Sequence, residues 1–279
     1  MKLATYDRGS GPRCGVVLGE TIVDLGREGD LLPLIVDWDR LRPEVEEIAA
    51  AGGGVPLSSV RLRAPVLRPG KIFAIGLNYA DHIEESKMER PQHQVWFTKA
   101  QTSVNGPFDP IQIPRASPFV DYEVELVAVI GRRGRHITRE QAPAHIFGWC
   151  VGDDVTERMW QHRTPQWSLG KSFDTHAPFG PWITTADEIP DPHALAIRCS
   201  VNGEARQTSN TRHLVFDVFD QIAHLSQAMT LEPGDVIFTG TPGGVGAAMD
   251  PRQFLKAGDM VCCEIEGLGH IENRCEAEG

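Results

Sequence analysis

The chain has 279 residues, 41% of them apolar and 23% charged, a balance that excludes disordered, collagen-like and fibrous classes. That length can bury a sizeable core, as one large domain alone or with a small appendage. A formal charge of −11 argues against phosphate backbones and anionic lipid headgroups as partners, yet leaves room for oxygen ligands around a cation.

Residues 1–65 read as a small unit of their own. Segments 1–6, 14–18 and 21–25 have the pattern of short strands separated by Gly-rich turns. Residues 43–51 read as a helix that opens near Pro43 and stops at Gly52-Gly53-Gly54. A connector with Pro65 and Pro69 leads into the remaining chain, 66–279. There, 71–76 is an apolar strand followed by the start of a short helix at 78–85. Residues 120–131 alternate acidic and apolar side chains before the strongly β run 126–130. Thr138 and Gln141 have capping-box spacing and open a helix candidate at 138–146, with a strand at 147–151 behind it. Val215, Phe219, Ile222, Leu225 and Met229 predict an amphipathic helix of about four turns. Residues 235–239 and 260–265 complete the strands. Many strands, few helices and no regular alternation predict a β-rich α+β fold.

The six cysteines contain no C-x-x-C pair and are too sparse for a disulfide scaffold. Cys262-Cys263 lie in an alternating strand and read as small buried side chains. The N-terminus turns polar at once and no apolar run could span a bilayer, so a cytoplasmic protein is expected.

The chemistry concentrates in carboxylates. On a strand Glu123 and Glu125 project to the same face, where their mutual repulsion calls for a compensating cation. Asp153-Asp154 follows the apolar strand 147–151; the two point differently, so only one is expected to join a metal site. An all-carboxylate set suits a hard cation, Mg²⁺ or Mn²⁺. His82 and Glu85, at i and i+3 on a helix turn, have the spacing for a carboxylate-oriented imidazole base. Lys171 and Asp174 carry no assignment on their own. The loop 240–246 lacks the ending of a phosphate loop, but its backbone and Thr241 hydroxyl can hold a carboxylate.

Taken in order, these stretches resemble the fumarylacetoacetate hydrolase family. The matching motifs are Gly76-Leu77-Asn78-Tyr79-Ala80-Asp81-His82 with Glu85, Phe97-Thr98-Lys99, and Glu123-Val124-Glu125-Leu126. They continue with Asp154-Val155-Thr156-x-Arg158-x-x-Gln161, Lys171-x-x-Asp174 with Pro178-x-Gly180-Pro181, and Gly240-Thr241-Pro242-x-Gly244-Val245-Gly246. The resemblance implies a mixed β-sandwich roll, a homodimer, and an N-terminal appendage like that of longer bacterial members. It implies Glu123, Glu125 and Asp154 as ligands of Mg²⁺ or Mn²⁺, and His82 with Glu85 as the general-base pair. Lys171 would stabilise developing negative charge, and Arg158, Gln161 and Thr241 would orient substrate. Asp153 and Glu157 depart from the residues expected there and add acid near the metal. The implied reaction is C–C hydrolysis of a 2,4-dioxo acid of the acylpyruvate type, in aromatic or sugar-acid catabolism. Isomerisation or decarboxylation of a hydroxydienedioate or an oxaloacetate-like acid is the alternative, and a silent binding domain the third reading.

Overall fold

The computed structural model describes residues 1–86 and 89–279, with the side chains of His82 and Ser86 outside that description. The principal strands are β1 (Lys2–Asp7), β2 (Pro12–Leu18), β3 (Thr21–Glu28), β4 (Ile72–Gly76), β5 (Val95–Thr98) and β6 (Val124–Ile130). They are followed by β7 (Ile146–Asp153), β8 (Ala177–Thr185), β9 (Ala196–Val201), β10 (Glu204–Asn210), β11 (Val236–Phe238), β12 (Met260–Ile265) and β13 (Gly269–Ala277). Three helices matter for the argument: α1 (Trp38–Ala51), α2 (Ala80–Ser86) and α3 (Val218–Ala228).

One large sheet runs in the order β3-β2-β1-β8-β7-β6-β11-β4-β5, antiparallel except for the β11–β4 pair. A second sheet, β10-β9-β12-β13 with Ile111–Ile113 at its edge, covers one face of the first. The fold is therefore the β-rich α+β sandwich roll expected from the sequence. The segment read as a small N-terminal unit is continuous with the large sheet, because Lys2 and Leu3 of β1 pair with Thr184 and Ile183 of β8.

β6 shows how the layers are held. Val124, Leu126, Ala128 and Ile130 face the core shared with Ile197, Cys199, Cys263 and Ile271 of the second sheet. Val127 and Val129 face the opposite core, built with Leu3, Val16, Ile35 and Val236. A strand buried on both faces reads as a continuous apolar run, as 126–130 does.

Three expected boundaries move. α1 begins five residues before Pro43, because Trp38 packs edge-on against Phe147 at 5.2 Å and Leu41 joins the buried face. Tertiary contact there outweighs the hydrogen bond that Pro43 cannot donate. The helix expected at 138–146 reduces to a short 3₁₀ turn, Ala142–His145. The Thr138 N–H does donate to Gln141 Oε1 at 3.1 Å, but Pro143 has no N–H to carry the helix on. α3 has three turns rather than four, since the Asp217 side chain accepts the Asp220 N–H and fixes the start at Val218. The six cysteines are all free thiols, and Cys263 is buried as expected.

Candidate active site

The antiparallel register of β6 with β7 assembles the acids. Val124 pairs with Asp153 and Glu125 with Gly152, so Glu123, Glu125 and Asp154 share one sheet face. The Asp154 N–H closes the end of the ladder on the Glu123 carbonyl at 2.9 Å. Carboxylate oxygens of Glu123, Glu125 and Asp154 lie within 4.8 Å of one another, and all three residues are buried. Gly152 has to be glycine: a Cβ there would stand 2.5 Å from Val127 Cγ2 and 2.6 Å from Phe238 Cε1.

Asp153 turns to the other face, as its position next to Asp154 on a strand requires. Its Oδ1 accepts the Glu123 N–H at 2.7 Å while its buried Oδ2 has no hydrogen-bond partner among the described residues. Burial pushes this carboxyl up to about 7. Glu157 is also buried, and it accepts hydrogen bonds from Ser117 Oγ and the Trp160 N–H.

Cations partly compensate the cluster. Lys171 Nζ lies 2.7 Å from Glu123 Oε2 and 2.6 Å from Asp154 Oδ2. Lys99 Nζ lies 2.5 Å from Asp154 Oδ1 and also donates to the Val155 carbonyl. Arg158 bridges Glu123 Oε1 at 2.7 Å and Asp121 Oδ2 at 2.8 Å, and donates to Gln161 Oε1. Glu125 is left with the Gly240 N–H at 2.7 Å as its hydrogen-bond donor. Burial first, and then the Asp154 and Glu123 charges, push its carboxyl well above the usual range. Around this cluster the four buried carboxylates Asp121, Glu123, Glu125 and Asp154 thus outnumber the three cations, buried Lys99 and Lys171 and the partly exposed Arg158. An oxygen-only donor set with this surplus of negative charge fits a hard divalent cation, Mg²⁺ or Mn²⁺.

A cavity of about 490 Å³ opens in front of the acids, lined by Glu85, Glu123, Arg158, Gln161, Lys171 and Thr241 among others. The expected site residues therefore converge, with Glu125 and Asp154 set behind this wall. Glu85 reaches the cavity from α2, where its carboxylate accepts the Gly244 N–H at 2.9 Å. His82, the expected base, lies outside the described residues. The chain entering α2 is anchored by buried Asn78, which donates to the Phe216 and Thr239 carbonyls and accepts the Phe216 N–H. Leu77 beside it has φ of +55°, a strained conformation for a leucine at a cavity wall.

Three residues that organise the site escaped sequence reasoning. Lys99 was visible only as one residue of the Phe97-Thr98-Lys99 motif, with no role attached. Asp121 holds Arg158 and also accepts the Gly246 and Ala247 N–H groups, tying the Gly-rich loop to the acids. Gln207 accepts the Val124 N–H and donates to Thr241 Oγ1 at 2.8 Å. A polar residue in an otherwise ordinary edge strand gives no signal in the sequence.

Residues 71–276 match the family described as fumarylacetoacetate (FAA) hydrolase, C-terminal. Among curated proteins, the chain is 49% identical over 221 residues to the mitochondrial oxaloacetate tautomerase Fahd2a of Rattus norvegicus, covering 79% of this chain and 71% of that protein. Among solved structures, maleylpyruvate hydrolase from Sphingobium sp. SYK-6, in complex with manganese(II) ion and pyruvate, superposes with a TM-score of 0.86. It is 35% identical, with both chains fully covered. A 2-hydroxyhepta-2,4-diene-1,7-dioate isomerase from Mycobacterium marinum superposes with a TM-score of 0.80 at 32% identity, covering 100% of this chain and 99% of that one. No helix among the described residues is long and apolar enough to cross a membrane.

Proposed function

The chain belongs to the fumarylacetoacetate hydrolase family, and on that premise we propose that it is a divalent-metal enzyme that interconverts the keto and enol forms of a 2-oxo acid. The observation that carries this reading is the buried Glu123, Glu125 and Asp154 set standing behind a cavity into which Lys171 points its ammonium. The 49% identity to an oxaloacetate tautomerase favours tautomerisation over the other chemistries of relatives.

Held by Glu123, Glu125 and Asp154, Mg²⁺ or Mn²⁺ would supply Lewis-acid polarisation of the substrate's oxygens. The protein's own groups do the rest. Burial works against the charge on Lys171, but Asp154 and Glu123 outweigh it and raise its affinity for the proton. An ammonium fixed at this depth stabilises negative charge as it develops on an enolate oxygen, and needs no reorganisation at that moment. Arg158 is held rigid by Asp121 and Glu123 and occupies the amide oxygen of Gln161, leaving the Gln161 NH₂ as a donor. Thr241 Oγ1 accepts from Gln207, so its own hydroxyl hydrogen remains for a substrate oxygen. Glu85, with His82 one turn earlier on α2, is the proposed pair that moves a proton to or from the substrate carbon.

C–C hydrolysis of a 2,4-dioxo acid is the second reading, favoured by the full-length similarity to maleylpyruvate hydrolase. There the same pair would instead deprotonate water. An EDTA-controlled assay of oxaloacetate and acylpyruvates with mass-spectrometric products separates the two. Unchanged mass with a change of tautomer is the expected result; pyruvate plus a second acid would favour hydrolysis. The metal set is tested by Mn²⁺ calorimetry: Glu125→Ala and Asp154→Ala should each weaken binding at least tenfold, and undiminished affinity in both would sink it.

A further inference from the structure

Gln207 lies on β10, the edge strand of the second sheet, yet it is fully buried and bonds to two other parts of the chain. Its Oε1 accepts the Val124 N–H at 3.0 Å, between Glu123 and Glu125 on the chain that carries the acids. Its Nε2 donates to the Pro242 carbonyl and to Thr241 Oγ1, each at 2.8 Å. A backbone N–H can only donate and a carbonyl can only accept, so Val124 and Pro242 fix which end of the amide is which. The remaining Nε2 hydrogen then points at Thr241, whose oxygen has to accept it. A free hydroxyl rotates between giving and taking a hydrogen bond, but this one is held to a single sense. Its own hydrogen is left for the cavity that Thr241 lines. The loop has little room to escape this arrangement. One residue earlier the Gly240 N–H is bonded to Glu125, and a Cβ at Gly244 would stand 2.1 Å from the Arg206 carbonyl oxygen of β10.

We propose that Gln207 is a positioning residue of the reaction, which sets Thr241 as a hydrogen-bond donor to a substrate oxygen and ties that donor to the backbone between Glu123 and Glu125. It touches no reacting atom and acts through the Thr241 hydroxyl. This inference rests on the proposed function for the presence of a substrate oxygen at Thr241. It has a consequence that a merely structural glutamine would not have, because the sense of the hydrogen bond can be reversed. In Gln207→Glu the new carboxylate still accepts the Val124 N–H, but it has no hydrogen to give. The Thr241 hydroxyl then has to turn and donate to it, and the donor aimed at the cavity is lost with Thr241 itself intact.

The test is a double-mutant cycle read by calorimetric titration of the Mn²⁺-loaded protein at pH 8 with oxalate, a dianion that stands in for the enolate of a 2-oxo acid. Thr241→Val in the wild-type chain should weaken oxalate binding about tenfold or more, the loss expected for one donor to a charged group. In the Gln207→Glu chain the same Thr241→Val change should cost less than about twofold, and comparing the two within that chain cancels the effect of the added charge. Gln207→Met, which leaves the hydroxyl free to rotate, should give an intermediate cost for Thr241→Val, and it carries the test if the glutamate variant does not fold. Mn²⁺ affinity should stay within about twofold in every variant, whereas a glutamine that only braced the acids would change it. An equal cost of Thr241→Val in all chains, or none in wild type, would overturn the role of Gln207. Oxaloacetate tautomerisation in the same preparations separates this from the reading on which it rests. Turnover without coupling in the cycle overturns the role of Gln207 alone, and coupling without turnover overturns the proposed reaction alone.

Discussion

The two ends of β6 use one sheet face for opposite purposes. Toward Ile130 the face carries Val127 and Val129 and is dry and apolar. Toward its start the same face carries Glu125, preceded by Glu123, among carboxylates and ammonium groups that are no less buried. Only Leu126 separates the last acid from the first of the apolar pair. The apolar end gains stability from every side chain it removes from water, about 25 cal/mol per Å² of apolar surface. The acidic end gains it only while each charge keeps its partner, because desolvating an ion costs several kcal/mol. Proximity in one rigid strand lets the first end fix the geometry that the second needs for chemistry.

The sharpest way to break this comparison is to remove one cation. Lys99→Met leaves Asp154 with one ammonium in place of two, and should cost the metal-free protein about 3–5 kcal/mol in urea unfolding. The same variant should bind Mn²⁺ more tightly, since it adds uncompensated negative charge. Lowered stability with weakened Mn²⁺ binding would show that Lys99 orients Asp154 rather than neutralising it. At the other end, Val129→Ala should cost about 2 kcal/mol through the two methyl groups removed and the cavity they leave, with Mn²⁺ affinity unchanged. A large loss of affinity there would mean that the apolar end does more than hold the strand.

How much of this was legible in the sequence follows from the same contrast. Alternation and apolar runs reported β6, β7, β12 and the core face of α3, because period and burial are local properties. Glu123 and Glu125 were legible because they sit at i and i+2 on a strand; the position after an apolar strand pointed to one of Asp153 and Asp154, and only the family resemblance singled out Asp154. Lys99, Asp121 and Gln207 were not, because each acquires its partner only from register and long-range packing: Lys99 meets Asp154 across 55 positions, and Gln207 meets Val124 across 83. The pairing of β1 with β8 was hidden likewise, for nothing in residues 1–6 names Thr184 as a neighbour.

His176 extends the comparison to a buried titratable group without a counter-charge. Its Nε2 bonds the Gln112 carbonyl at 2.9 Å, its Nδ1 has no partner among the described residues, and burial pushes its imidazole down to about 3. The unfolded chain binds this proton near its ordinary 6.5, so between about 3 and 6.5 the unfolded state holds more protons than the folded one. Stability is then fully present above pH 6.5 and is lost as pH falls through that window, by about 2 kcal/mol at pH 5. His176→Gln should flatten this acid limb in urea melts at pH 7 and pH 5; an unchanged slope would place the acid sensitivity with other groups.

The smallest effect belongs to an ion pair that burial never sharpened. Arg42 of α1 reaches Asp187 beyond β8 at 3.0 Å, a distance close to those of the Lys171 contacts, yet both partners are about half exposed. In water the Coulomb attraction is screened and each long side chain gives up rotamer freedom, so the pair contributes under about 1 kcal/mol. Arg42→Ala also gives up the contact with Glu46 one turn on, another exposed pair. The total loss should stay near 1 kcal/mol and shrink further in 1 M salt. The effect of Lys99→Met should survive that salt, because the Lys99–Asp154 contact is closed to solvent. A salt-sensitive loss at Lys99, or a salt-resistant one at Arg42, would mean that burial is not what separates the two kinds of charge pair in this fold.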